Sequence, residues 1–394
     1  MFAVLGVALV LGRVPVPGTG PFGYASWARN LVIVALAGHL LGAPGLRLRR
    51  SKLGTALVAY AVTAALSVAA NHGSYGDLRM LAAGVGVFFV AKALAAPPRA
   101  PTALLDWLGA VAVGIVLREI VTDPSVLLLR ESARTNLATD HPNTLGFAFA
   151  VLVPLFLGAV ARGAAARRAA FFAAAACFGA AATYSRAAWI GIALGAGATA
   201  VTWRTPRRLG TAAHLGLLAT AVLLVLALFG AAVLILSMER GESDQQRLRI
   251  IEASLTLFRE HWPFGVGFGT KNLERVFPSR YIELFGASLF LFHSHNLYVD
   301  ALVGTGLVGT AAAAWLVVRL AALARLALLL PEWALSRPEA MSFAAAIAVF
   351  LLLALADMPF YHGRLTLLVA VALAYIEIRI EGAQAGIAAG AASP

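Results

Sequence analysis

The sequence predicts an all-α polytopic membrane protein with about twelve transmembrane helices and one large outer loop. Three observations predict it. Of the 394 residues, 60% are apolar and only 13% are charged, about half the ~25% charged content usual in soluble domains. The apolar residues come in blocks long enough to span a bilayer. The loops between the blocks alternate between basic and mixed charge, as membrane topology demands. Secreted disulfide scaffolds, nucleic-acid modules and cytosolic enzymes are excluded together. The single cysteine, Cys177, lies within an apolar block and reads as a small core residue.

Twelve apolar segments follow in order, at 2–16, 27–44, 53–70, 78–96, 102–121, 143–161, 169–184, 187–203, 210–237, 296–318, 340–357 and 364–380. The first lacks the basic flank of a signal peptide and is kept as a helix. The whole chain, 1–394, reads as one integral membrane domain, with residues 238–295 as its large loop.

Charge gives the orientation. One set of loops holds Arg47, Arg49, Arg50, Lys52, Lys92, Arg99, Arg162, Arg167, Arg168, Arg204, Arg207, Arg208, Arg319, Arg325, Arg337 and Arg379. Its acids are Asp106, Glu332, Glu339, Glu377 and Glu381. This strongly basic side is assigned to the cytoplasm, with both termini inside. The other side is almost balanced. The net charge of +12 therefore follows from topology and does not call for an anionic partner or nucleic acid. Six of the eight histidines fall on the outer side: His72, His141, His261, His293, His295 and His362. Side chains able to do chemistry concentrate there. No internal repeat and no pair of interrupted helices suggests a transporter.

Within the long loop, Ser243 and Gln246 have capping-box spacing. Leu248, Ile251, Leu255, Phe258 and Trp262 then form one helical stripe. This predicts an amphipathic helix against the membrane surface. Arg247 falls in its first turn, where backbone N–H groups and the helix dipole favour anions. It reads either as a phosphate ligand or as an ordinary interfacial arginine. The glycines of Pro263-Phe-Gly-Val-Gly-Phe-Gly269 lack the spacing of a nucleotide loop. They read as a sharp turn allowing close backbone approach.

His293-Ser-His295-Asn296 heads the tenth span, with Gly306 and Gly309 below. Small residues there would admit another helix. A positive helix end favours neutral imidazole, able to accept a proton; an interfacial anchor is the alternative. Thr183-Tyr184-Ser185-Arg186-Ala-Ala-Trp189 joins two spans with almost no loop. An arginine there must point into the protein or a wet cavity, because facing lipid is costly. Asp140-His141-Pro142-Asn143 opens the sixth span, and helix capping accounts for much of it.

These blocks resemble the O-antigen ligase and O-antigen polymerase superfamily. His295-Asn296, nine residues, Gly306, two residues and Gly309 resemble the ligase signature H-[NSQ]-x9-G-x-x-G. The HPN of 141–143, the S-R-x-x-W of 185–189 and the R-L-x-I…P-x-G-V-G-x-G run of 247–269 are similar to its other blocks, in family order. The resemblance implies a GT-C-type glycosyltransferase of the bacterial inner membrane, with a periplasmic active site and loop. It implies metal-independent, inverting transfer of a glycan from undecaprenyl diphosphate to a sugar hydroxyl of lipid A–core, with no cofactor. It makes His295 catalytic and gives the diphosphate to Arg186 and Arg247. Ile251 stands where the family often has tryptophan, so Arg249 is the alternative loop arginine. Asn296, His141, Asn143, Tyr184 and His293 are supporting residues, and Gly306 and Gly309 pack helices. The chemistry is coherent: a positioned base activates a poor hydroxyl nucleophile, and arginine forks stabilise the leaving diphosphate. Alternatives are an O-antigen polymerase, a protein O-oligosaccharyltransferase and, from another class, a lipid-linked glycan transporter.

Overall fold

The computed structural model describes residues 51–94, 100–122, 124–128, 142–163, 165–204, 241–286, 294, 296–355 and 363–391. Among these there are eleven α-helices, one short 3-10 helix at Pro124–Leu128 and no strand. The helices are α1 (Lys52–Ala70), α2 (Gly76–Leu94), α3 (Ala100–Thr122), α4 (Pro142–Arg162), α5 (Ala166–Ala182) and α6 (Arg186–Arg204). After them come α7 (Gly241–Glu260), α8 (Thr270–Phe285), α9 (Leu297–Leu329), α10 (Arg337–Leu353) and α11 (Gly363–Ala391). Lys52–Ala70, Thr144–Arg162 and Leu297–Leu329 are long and apolar enough to cross a membrane. The expected spans at 2–16, 27–44 and 210–237 lie outside the described residues.

The other expected spans coincide with α1 to α6 and α9 to α11, but two helices run further. Helix α9 continues from the expected end at 318 to Leu329, and α11 continues to Ala391. Charge interrupts an apolar run without interrupting a helix, since a charged side chain needs only an exposed face. Arg319 illustrates this, with its guanidinium 5.9 Å from the centre of the Trp315 ring.

Helix α4 is the centre of the bundle. It packs against α5, α6 and α10, and also touches α3 and α11. Phe147, Phe149 and Phe156 of α4 are fully buried. The Phe147 ring meets Phe350 of α10 edge-on at 5.5 Å, an arrangement the ring quadrupoles favour. Around this centre, α1 packs on α9 and α2, α2 on α11, and α9 on α10.

The ion pairs respect the two sets of loops drawn from the sequence. Glu377 of α11 takes Lys92 Nζ at 2.6 Å and Ser51 Oγ at 2.7 Å. Lys92 also reaches Glu381 at 2.7 Å. Glu339 accepts from Arg162 at 2.5 Å and Arg379 at 2.7 Å. Arg168 pairs with Asp106, and Arg337 with Glu332. All these residues come from the basic set. Arg280 with Glu260 and Glu283, and Arg118 with Glu119, come from the other. Each of these pairs lies within one set. Buried charges must find partners within reach, so the partners record which side chains share one end of the bundle.

Helices α7 and α8 form a hairpin. Ile250, Ala253 and Leu257 of α7 pack with Leu273, Phe277 and Tyr281 of α8 and Val303 of α9. Phe277, Tyr281 and Phe285 stack along α8, with ring centres 5.9 and 4.9 Å apart. Helix α7 begins at Gly241, so Ser243 lies inside its first turn and is not its cap. Arg247 consequently falls in the second turn, not the first. The end-field of a helix fades within one turn, which removes the dipole from the argument for Arg247 as an anion ligand.

Candidate functional site

The arginine turn is built by its neighbours. Helix α5 stops at Ala182, and Tyr184 takes φ 52°, a left-handed conformation rare for a large residue. Ser185 then caps α6 by accepting the Ala188 N–H at 3.4 Å. Trp189 ties the turn closed, donating from Nε1 to the Ala180 carbonyl at 3.3 Å. Its ring lies 6.0 Å from that of Tyr184. The turn rests on Gly146 of α4, where a Cβ would come within 2.6 Å of Thr183 Oγ1 and 2.8 Å of Ala188 Cβ. Arg186, first in α6, is exposed. Backbone strain of this kind clusters at functional sites. Gly146 also brings the start of α4, with Pro142 and Asn143, beside the arginine turn.

A crevice lies between α3, α4 and α5 near the same turn. Val116, Glu119, Leu145, Phe149, Phe178 and Ala182 are among its lining residues. It is apolar except for Glu119, which is buried and accepts from Arg118 at 3.1 Å. Nothing in the sequence singles out Glu119, which reads there as one more charge near a span end.

The head of α9 reaches the same region through α10. The Leu297 N–H donates to the Ala354 carbonyl at 2.8 Å. One residue earlier, Leu353 lies where it would meet a Cβ on Gly191 of α6 at 3.1 Å. The starts of α6 and α9 thus flank the end of α10. Asn296 caps α9, accepting from the Tyr298 and Val299 N–H groups at 3.0 and 3.2 Å. Asp300, 1% exposed, accepts the Ser294 N–H at 2.8 Å. The backbone on both sides of position 295 is therefore held. Helix α7 packs over the first turns of α9.

The nearest contacts at Gly306 and Gly309 come from a loop and from α9 itself. Gly306 has φ 63° and ψ −163° and breaks α9. The loop after α7 enters the break. Val266 and Gly267 N–H groups donate to the Val303 and Gly304 carbonyls at 2.9 and 3.1 Å. In return, Leu307 and Val308 N–H groups donate to Trp262 and Pro263 carbonyls at 2.8 and 3.4 Å. Ser67 Oγ adds a bond to the Gly304 carbonyl at 2.6 Å. The backbone groups freed by the break are thereby satisfied, as an apolar surrounding requires. A Cβ at Gly306 would lie 2.6 Å from Phe264 N and Pro263 C. Gly309 instead makes room for the side chain of Thr305 in its own helix. The loop glycines do give the close backbone approach that their spacing predicts.

The hairpin is clasped to the body by polar side chains that the sequence reading did not isolate. Asn272 accepts from Ser74 N at 2.6 Å, and donates to Ser74 O at 3.0 Å and Phe268 O at 2.7 Å. Asp77 Oδ2 takes the N–H and hydroxyl of Thr270, capping α8 from α2. Asn71 donates to the Gly265 carbonyl at 2.9 Å. Arg280 hydrogen-bonds Glu260 across the hairpin and holds its carboxyl below the usual range.

Of the expected site residues, His141, His293 and His295 lie outside the described residues. So do the side chains of Asn143 and Arg247, whose backbones are in α4 and α7. Arg249 is exposed, with its guanidinium 5.5 Å from the centre of the Phe285 ring. A family model described as O-antigen ligase matches residues 169–314. The matched stretch runs from α5 into α9 and includes positions 186, 247 and 295, while the 141–143 block precedes it. No curated protein matches the chain.

Proposed function

We infer, from the membership of the O-antigen ligase family that the match over residues 169–314 supports, that this chain is a lipopolysaccharide O-antigen ligase. The reaction is transfer of the O-antigen glycan from undecaprenyl diphosphate to a sugar hydroxyl of lipid A–core. The chain is a GT-C-type enzyme of about twelve spans in the inner membrane, with both termini cytoplasmic and the 238–295 loop periplasmic. Transfer inverts the anomeric centre and uses no metal.

One observation carries this reading. The stretch that matches the family holds Arg186, Arg247 and His295 on three elements, at the start of α6, in the second turn of α7 and ahead of α9. The starts of α6 and α9 flank the end of α10, and α7 packs over α9. In the proposed mechanism His295 removes the proton of the acceptor hydroxyl as the oxygen attacks the anomeric carbon. Arg186 and Arg247 hold the diphosphate and stabilise the charge it gains as the glycosidic C–O bond breaks. Asn296 and Tyr184 support the local backbone. The sorting of ion pairs into two sets supports the assigned sidedness.

Complementation of a ligase-null strain tests the function on a lipopolysaccharide gel. Restored long-chain lipopolysaccharide is expected. A change in glycan chain length without new attachment to lipid A–core would identify a polymerase instead.

A further inference from the structure

Helix α7 has two apolar flanks, and the described residues cover one of them. Ile250, Ala253 and Leu257 are buried against α8 and α9. Leu248 and Leu255, seven residues apart on the other flank, are 69% and 40% exposed, and Trp262, two residues after the end of α7, is 55% exposed. Nine residues separate Leu248 from Leu257, two and a half helical turns, so the two flanks are opposed. Exposed Glu252 and Arg259 follow Leu248 and Leu255 by four residues and border that flank, with exposed Arg249 further round the helix.

The uncovered flank continues onto a helix long enough to span a membrane. The Leu307 N–H donates to the Trp262 carbonyl, which places Trp262 at the broken point of α9. Phe264, two residues on, is also exposed. Below the break, Leu307, Val308, Trp315 and Val318 are exposed at helical spacing along α9. An apolar face that the described residues leave open, on a helix long and apolar enough to cross a membrane, is suited to contact with lipid. The α7 flank is joined to that surface at Trp262, whose carbonyl takes the Leu307 N–H, and tryptophan is a residue that membrane interfaces enrich.

We infer that the Leu248–Leu255 flank of α7, with Trp262 in the turn after it, is seated in the outer-leaflet interface of the bilayer, with lipid as its occupant. The helix then lies in the membrane plane, its apolar flank immersed by ~5–10 Å, while Arg249, Glu252 and Arg259 face water. The seat also sets a height. Arg247 is one residue from Leu248 and is carried at the level of lipid phosphates, where the diphosphate of a lipid-linked donor lies. That consequence rests on the proposed function; the seat itself does not.

The test uses the full chain with Cys177→Ala, which removes the only native thiol. Single cysteines at Leu248, Leu255, Glu252 and Thr256 carry nitroxide labels, and the protein is reconstituted in phospholipid nanodiscs. Labels at 248 and 255 should show an oxygen-to-nickel-chelate collision ratio several-fold above those at 252 and 256. Equal nickel accessibility at all four positions would place the flank in water and overturn the seat. Shielding of 248 and 255 from both reagents would mean a protein cover, with spin–spin broadening at 255 identifying a second copy; this also overturns it. As an independent check, the fluorescence difference between wild type and Trp262→Phe should be quenched by lipids brominated near the headgroup end of their chains. An unquenched difference contradicts the seat. Neither measurement reads glycosyl transfer, so an inactive protein with a lipid-seated α7 would refute only the function.

Discussion

The Leu307 amide donates to the Trp262 carbonyl at 2.8 Å, so that a loop supplies the acceptor α9 loses when it breaks at Gly306. The chain thereby ties its α7–α8 hairpin to α9 through backbone groups, beside the apolar cluster around Val303. The side chains that the family resemblance makes functional stand on both partners: Arg247 on the hairpin, His295 just ahead of the helix.

The break should be intolerant of a side chain. Gly306→Ala forces a non-glycine residue into a left-handed conformation, at a cost of about 1–3 kcal/mol. It also pushes against the Phe264 and Pro263 backbone. The apparent unfolding midpoint in detergent should fall clearly. Gly309→Ala should fall less, because Gly309 has no positive φ, although a Cβ there would meet the Cβ and hydroxyl of Thr305. Equal midpoints for wild type and Gly306→Ala would show that the break is not required.

Asn272 should govern how firmly the hairpin is held. Asn272→Ala removes three hydrogen bonds around a buried position and leaves Ser74 and Phe268 groups without them. Losses of this kind cost about 1–3 kcal/mol for each buried group left unsatisfied. Limited proteolysis should cut within α7 and α8 faster than in wild type, while cleavage elsewhere is unchanged. An unchanged pattern would mean that the apolar cluster alone holds the hairpin.

The Glu260–Arg280 contact has a pH signature. Arg280 lowers the folded-state pKa of Glu260. The pair therefore contributes stability above the unfolded carboxyl value of ~4.3. That contribution is lost as pH falls through the lower folded value. The contact is exposed, so the effect is small. Protection of the hairpin from an acid-active protease should decline with acidity in wild type, and less steeply in Glu260→Gln. Parallel curves would count against the contact.

The roles assigned to His295 and the arginines separate kinetically. His295→Ala should depress turnover by a factor of about 10²–10⁴ and leave donor affinity nearly unchanged. Arg186→Ala and Arg247→Ala should weaken both, because the diphosphate is anionic before reaction and more so in the transition state. Lysine should rescue poorly, since a point charge cannot reproduce bidentate phosphate contacts. If His295→Ala abolishes donor binding and an arginine variant retains it, the assignments are reversed.

Purified enzyme with lipid-linked donor should work in the presence of chelator and without ATP, since the lipid–diphosphate bond carries the free energy. A strict need for Mg²⁺ or Mn²⁺ would direct attention to Asp140 and Asp300.

The sequence by itself determined the apolar helices of the described body and the grouping of its charges. Apolar run length and loop charge are local properties, set by a bilayer that every segment meets in the same way. It also indicated a close backbone approach at 263–269, because glycine spacing is local too. Helix α8 escaped it: Pro278 and five charged residues, from Lys271 to Glu283, hide a stripe of Phe277, Tyr281 and Phe285 that only packing reveals. The partner of Gly306 escaped it as well, since a small residue states that something comes close and not what does. The cap of α8 comes from Asp77, 193 residues before Thr270, and the clasp of Asn272 reaches 198 residues back to Ser74. Such bonds depend on distance and direction in space, which no spacing along the chain encodes. Tertiary structure alone decided them, and with them how the arginine turn, the hairpin and the head of α9 are held at one end of the bundle.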